Sequence, residues 1–456
     1  MFRNRNRLLF ATAAALTLAA CGGQGQGQGQ NALIPPAAQG QAVAPGAAAQ
    51  GAVAQGAVAS LSTAEGAAFD LIRARRPMVI PETVGSAKSM CPGVVVAHTM
   101  HCMALVENSG GLHRLGADVT PDAAPLLGSY GPVDLQSAYA LAAYSKADGK
   151  TQTVAIVDAQ DDPKAESDLD VYRAYYKLPA CTTANKCFRK VSQTGTTTYP
   201  APDQGWAGEI SLDVDMVSAI CPNCKIILVE AADSSDTNLG KAVDEAVALG
   251  ANVVSNSYGG DEFEPSDADY VHPGHVITAS TGDGGYYPQV PAAYSSVVAV
   301  GGTTLKKGGG TRGWTESAWV DGGSGCSLFV AKPSWQAAQT ICPTRQIGDI
   351  SAEADPNTGV AVYDSYPNPY GIPLGWAQYG GTSASSPIIG AVYALAQNAA
   401  SATPATLWAH GGSADFYDIT TGTNGACPAV WKYICTARVG YDGPTGWGTP
   451  HTTAGF

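Results

Sequence analysis

This sequence predicts an α/β fold, with a mostly parallel central sheet flanked by helices, and two observations carry the prediction. Short apolar runs rich in Val and Ile recur from about residue 128 onward. Helix-length segments separate them, so neighbouring strands are joined by crossovers, which produces parallel pairing with both faces covered. Taken in order, residues 153–158 (Thr-Val-Ala-Ile-Val-Asp) read as a buried strand ending on an acid, 209–220 as a helix and 225–230 as a strand. Leu239, Ala242, Val243, Ala246 and Val247 have helical spacing, with Gly250 placed where a helix terminates. Further buried strands are expected at 253–257, 276–280 and 297–300. Chemistry in such a sheet sits just beyond the carboxyl ends of its strands.

Ahead of this domain the chain changes character. Arg3, Arg5 and Arg7 precede an apolar run at 8–18, closed by Leu18-Ala19-Ala20-Cys21. This is the layout of a bacterial export signal, too short for a permanent membrane span. The small residues before Cys21 match a lipobox, in which the cysteine becomes the acylated N-terminus of a lipoprotein; the alternative is an ordinary cleaved signal. Residues 22–64 are Gly-Gln and Ala-Gln-Gly repeats that cannot bury a core, so a disordered tether is expected. Residues 65–127 form either a short pro-region or an N-terminal embellishment, and 128–456 the main domain. The expected location is the cell envelope, with the lipid on Cys21 as the membrane contact and Gly22 favouring the outer membrane. A formal net charge of −13 argues against a nucleic-acid partner, because phosphate binding needs clustered Lys and Arg.

Export makes the cysteines readable as disulfides. With Cys21 set aside, the rest fall as neighbours: Cys91/Cys102, Cys181/Cys187, Cys221/Cys224, Cys326/Cys342 and Cys427/Cys435. Five local bridges is the simplest reading, with connectivity left open by sequence alone. Cys221-Pro-Asn-Cys224 has no second CxxC, so a loop staple is expected there and not a zinc or redox site.

The sharpest chemical signal is Gly380-Gly381-Thr382-Ser383-Ala384-Ser385-Ser386-Pro387, followed by an apolar stretch at 388–396. Glycines permit a tight turn that presents a hydroxyl, and the helix that follows aims its positive end at developing negative charge. A Ser-rich helix cap is the bland alternative. A serine nucleophile needs a partner to take its proton. None of His98, His101, His113, His272, His275, His410 and His451 stands in a setting that marks it as that base, and His272 and His275 read as solvated.

Carboxylates supply the alternative. Glu209 and Asp213, at i and i+4, share a helical face continued by Met216, Val217 and Ile220. Two acids on an apolar face carry a desolvation cost and mark a functional site. Close carboxyls share a proton, so Glu209 is poised as base and acid. Asp215 faces elsewhere and reads as a solvated residue of the first turns. Asp283, in the glycine turn Ser280-Thr-Gly-Asp-Gly284, can donate a hydrogen bond to an oxyanion when protonated, or be a plain Asp-Gly turn.

Together Glu209-x-x-x-Asp213, the Asp283 turn, the Val290-Pro-Ala-Ala-Tyr stretch leading to Ala-Val-Gly-Gly-Thr-Thr304, and Gly-Thr-Ser383-Ala-x-x-Pro387 resemble the sedolisin, or serine-carboxyl peptidase, family. The likeness runs from about residue 131 to the C-terminus. It implies a subtilisin-like fold and a peptidase acting on proteins or peptides in acid. Ser383 would be the nucleophile, Glu209 the general base and acid, Asp213 its orienting partner, and Asp283 the oxyanion donor with the Ser383 backbone N–H. It also implies one structural Ca2+, held by carboxylates of Asp418 and Asp442 and by carbonyls of Ile419, Arg438 and Gly440. The family usually has Gly where Arg438 stands, Trp where Ile210 stands, and a longer folded propeptide. Two other readings compete: an inactive peptide-binding lipoprotein on the same fold, and a histidine-dependent relative using Asp158.

Overall fold

The computed structural model describes residues 62–107, 124–263, 267–372, 375–427 and 429–456. The signal segment, Cys21 and the tether up to residue 61 lie outside them, as does His113. The tether boundary expected at 64 falls inside a helix. Ser62 caps Thr63–Ala74 through a reciprocal pair of bonds with Glu65.

The core is an eight-stranded sheet. Across it run Trp314–Ala318, Val298–Lys307, Val276–Ser280, Val253–Asn256, Thr153–Ala159, Lys225–Ala231 and Phe188–Ser192, and Ile350–Glu353 also pairs with Val298–Lys307. Every pairing is parallel except that of Trp314–Ala318. Val253–Asn256 and Val276–Ser280 are buried at every residue, as strands covered on both faces must be. The strand order turns around beside Thr153–Ala159. Asp158 near its end and Ser257, just past the strand Val253–Asn256, therefore stand at the crevice such a reversal opens.

The expected strands and helices are all present, and further elements accompany them, among them the helix Ala165–Tyr175 and the edge strand Phe188–Ser192. Two helices position the chemistry. Gln204–Ile220, capped by the Asp203 side chain on the N–H groups of Gly205 and Trp206, packs against Thr382–Ala396. The first is buried from Gly205 to Ile220, all the way round. This corrects the reading of Asp215. A helix sunk in the core has no solvent face, and Asp215 is buried, accepting the Tyr363 N–H at 3.0 Å beside the Arg173 charge.

A second, antiparallel sheet orders Val360–Asp364, Gly375–Gly380, Leu105–Glu107, Ala87–Ser89 and Thr83–Val84. Residues ahead of the main domain thus add strands beside the segment leading to Ser383. All five neighbouring cysteine pairs are disulfides. Among the described residues no helix is long and apolar enough to cross a membrane.

Candidate active site

The turn before Ser383 works as the sequence suggests. Gly381 has φ +92°, which a Cβ would strain, and it caps the helix Thr382–Ala396. Pro387 inside that helix has no N–H for the Ser383 carbonyl four residues back, and the Ser257 hydroxyl lies 3.2 Å from that carbonyl instead. The Ser383 N–H belongs to the first turn and has no intrahelical acceptor.

Ser383, Glu209 and Asp213 are fully buried and converge. Ser383 Oγ donates to Glu209 Oε2 at 2.8 Å and lies 3.2 Å from the Ser257 carbonyl. The same Oε2 accepts the Met103 and Ala104 N–H groups at 2.8 and 2.7 Å, while Oε1 has no hydrogen-bond partner among the described residues. Burial pushes the Glu209 carboxyl up to about 8 against these donors. Asp213 is driven well above the carboxylate range by burial, then by the charges of Asp158 and Glu209. Its Oδ1 lies 2.8 Å from Ser257 Oγ and its Oδ2 has no partner. Asp158 is raised by burial and then by Glu209, with neither oxygen paired. Three buried carboxyls thus share a pocket with few donors, and the donors fall on Glu209. Of the three carboxyls Glu209 is thus the easiest to ionise, while Asp213 and Asp158 hold their protons more strongly.

Asp283 approaches Ser383 from the other side. Its Oδ1 accepts the Thr382 N–H and hydroxyl, both at 2.8 Å, whereas its buried Oδ2 is unpaired. Burial raises this carboxyl to about 7. A proton on Asp283 therefore belongs on Oδ2, the oxygen left free to donate.

No described histidine reaches Ser383. His272 pairs with Asp244, His275 bonds the Ala251 carbonyl, and half-buried His101 is pushed down to about 3 by desolvation. Sequence reasoning missed Ser257 and Thr382 as contacts of the acids, and placed Asp158 only in a histidine-dependent scheme. The run Asn256-Ser257-Tyr258 ending a buried strand was the available signal.

The expected calcium ligands lie together near the C-terminus. Asp442 is buried and feels the charge of Asp418, which accepts the Gly440 N–H at 2.9 Å. The Arg438 guanidinium turns away, to the Tyr441 carbonyl and the Tyr433 ring. Among the described residues nothing donates to the carbonyls of Ile419, Arg438 or Gly440. Two carboxylates and three free carbonyls are a donor set of the hard-oxygen kind. Asp442 also accepts the N–H groups of Arg438 and Thr445, which leaves fewer of its lone pairs open.

A model of the subtilase family matches residues 149–412, more than half of the chain, and the chain belongs to that family. Its relatives bear out the sedolisin resemblance. Kumamolisin of Bacillus sp. (strain MN-32) is 30% identical over 71% of this chain. Sedolisin of Pseudomonas sp. (strain 101) is 26% identical over 82%, and xanthomonalisin of Xanthomonas sp. (strain T-22) 23% identical over 82%. This chain spans 62%, 67% and 51% of those proteins' own lengths. The structure of Pseudomonas sedolisin, a serine-carboxyl proteinase complexed with two molecules of pseudo-iodotyrostatin, has the same fold. It superposes with a TM-score of 0.60 at 24% identity, covering 72% of this chain and 99% of that one.

Proposed function

We propose that this chain is a serine-carboxyl peptidase that hydrolyses peptide bonds of proteins or peptides, fastest in mild acid. The observation that supports this most is the 2.8 Å contact of Ser383 Oγ with Glu209 Oε2 inside a buried acid cluster. In this reading Glu209 takes the hydroxyl proton as Ser383 attacks the carbonyl carbon. Protons on Asp213 and Asp158 keep the cluster from carrying three charges. Asp283 Oδ2–H and the Ser383 N–H stabilise the oxyanion. Glu209 then returns the proton to the leaving nitrogen, and water resolves the ester. Asp283 must carry a proton to donate, so activity falls as pH rises through about 7.

Ca2+ would be held by Asp418, Asp442 and the carbonyls of Ile419, Arg438 and Gly440. Bound there, it would offset the repulsion of the two acids. A melting temperature unmoved by a calcium chelator would remove the ion from this account. The same reading has the chain exported and anchored by a lipid on Cys21. Loss of detergent partitioning in the Cys21→Ser chain is the expected result, and unchanged partitioning speaks against the anchor.

The central test is a peptide library assayed at acid and neutral pH with the chain and its Ser383→Ala variant. Cleavage by the first and not by the second is expected. Peptide binding without cleavage at any pH would leave the inactive binding lipoprotein as the better account.

A further inference from the structure

We infer that Ser257 is a positioning residue for this reaction, carrying a hydrogen-bond relay from the Asp213 carboxyl to the Ser383 main chain. In the relay Asp213 Oδ1–H donates to Ser257 Oγ, and Ser257 Oγ–H donates to the Ser383 carbonyl. The inference rests on the peptidase reading above and adds to it what holds the nucleophile's backbone in place.

Counting protons leads to this arrangement. Ser257 is fully buried between the strands Val253–Asn256 and Tyr258–Asp261. Its Oγ lies 2.8 Å from Asp213 Oδ1 and 3.2 Å from the Ser383 carbonyl oxygen. A carbonyl and an ionised carboxyl are both acceptors, and a hydroxyl has one proton to give, although it can also accept. Ser257 therefore cannot donate to both. The conflict disappears when Asp213 carries a proton of its own. That proton belongs on Oδ1, because the buried Oδ2 has no hydrogen-bond partner among the described residues. Three oxygens in line then share two protons, and each proton has an acceptor.

Pro387 decides where the Ser257 proton goes. It has no N–H, so the Ser383 carbonyl four residues back lacks its helical donor, and the Ser257 hydroxyl stands in that place. The opposite arrangement has Ser257 donating to an ionised Asp213. It would leave the Ser383 carbonyl without that donor and a buried charge with a single one. Burial acts against that charge, followed by Asp158 on the strand Thr153–Ala159 and Glu209 on the same helix.

Ser257 also meets the nucleophile a second time. Its carbonyl lies 3.2 Å from Ser383 Oγ, which donates to Glu209 Oε2 at 2.8 Å. Asp213 lies one helical turn beyond Glu209, so the relay ties the far end of the acid pair to the backbone of Ser383. When Ser383 Oγ leaves Glu209 to attack, the carbonyl of the same residue stays held, and its N–H keeps its aim at the oxyanion. The two relay protons stay in place throughout, and Glu209 alone exchanges a proton with Ser383.

The test pairs infrared spectra of the folded chain with steady-state kinetics on a peptide it cleaves. The C=O stretch of the Asp213 carboxyl is identified as the band lost in Asp213→Asn. In Ser257→Ala the Asp213 proton loses its acceptor, and that band should move to higher frequency. In Pro387→Ala the helix supplies an N–H to the Ser383 carbonyl, which frees Ser257 to donate to an ionised Asp213. The band should then disappear at lower pH than in the parent. In Ser257→Ala kcat should fall about 10- to 100-fold with KM little changed, because the nucleophile's backbone has lost a holding bond. Adding Pro387→Ala to Ser257→Ala should recover about tenfold, a rescue that lost packing alone does not give.

A band that Ser257→Ala leaves unmoved overturns the inference, as does the absence of an Asp213 carboxyl band at every pH where the chain is folded. A folded double variant as slow as Ser257→Ala also overturns it. If Ser257→Ala does not fold, the Pro387→Ala titration decides alone, and an unshifted one is fatal. The infrared measurement needs no substrate, so the two readings fail separately. Peptide cleavage with an unmoved band keeps the peptidase and loses the relay; a band that moves as expected in a chain that cleaves nothing does the reverse.

Discussion

Buried acids in two regions of this molecule are treated in opposite ways. Asp349 and Arg345 are both fully buried. The Asp349 carboxylate accepts both terminal guanidinium nitrogens at 2.8 and 2.6 Å, the Trp408 ring N–H at 2.7 Å and the Ala299 N–H at 2.8 Å. Among the described residues no cation is bonded to the acids around Ser383. Asp213 has a single hydrogen bond, Asp158 has none, and Glu209 crowds three donors onto one oxygen. A buried charge that serves only the fold is neutralised and saturated with donors. One that must gain and lose a proton is left short of them, and the cost appears as raised carboxyl pKa values.

The largest effect expected from breaking this contrast is Glu209→Gln. The amide keeps the shape of the carboxyl but cannot take the Ser383 proton, so kcat/KM should fall about 10³- to 10⁴-fold with the melting temperature little changed. Steady-state kinetics beside a thermal melt decide it; a loss of activity matched by unfolding would make Glu209 structural. Arg345→Met should do the reverse. It strands the Asp349 carboxylate in the core at a cost of about 3–5 kcal/mol, read by denaturant unfolding, and leaves the pH profile of the remaining activity in place. A profile that shifts would mean the two regions are coupled.

Asp213→Asn is a milder probe. It removes one of the three clustered acids without removing the base, so a drop of about 10- to 100-fold is expected, with stability unchanged or slightly raised. Its distinguishing readout is the acid limb of the pH profile. Asp213 is neutral while it holds its proton, so the asparagine should leave that limb in place. A limb that moves would show that Asp213 carries charge beside Glu209.

How much of this could be read from sequence depended on how local each signal was. Ser383 declares itself because its glycine turn and helix are contiguous, and Glu209 with Asp213 because i, i+4 spacing survives any tertiary arrangement. Asp283 is visible as an acid in a glycine turn at a strand end. Ser257 and Asp158 matter only through the register of Val253–Asn256 and Thr153–Ala159, which nothing local encodes. Asp215 misled because helical-face reasoning presumes one face in water, and this helix has none. The Met103 and Ala104 N–H groups on Glu209 were out of reach for a like reason. The strands flanking them, His101–Cys102 and Leu105–Glu107, are two or three residues long, and Glu209 lies far along the chain.

The smallest effect expected concerns the whole fold and not one residue. Burial raises Asp162 to about 8 and Glu262, Asp283 and Asp364 to about 7. In the unfolded chain each would lose its proton near pH 4. Between those values the folded protein binds more protons than the unfolded one, so its stability is fullest in acid and declines as pH rises from about 4 to about 8. This is the reverse of what paired, depressed carboxylates such as those of ordinary ion pairs produce. Melting temperatures should fall by about 5 °C or more between pH 5 and pH 8. A melting curve flat across the range would mean that the buried acids are not holding their protons, and the contrast between the two regions would lose its physical basis.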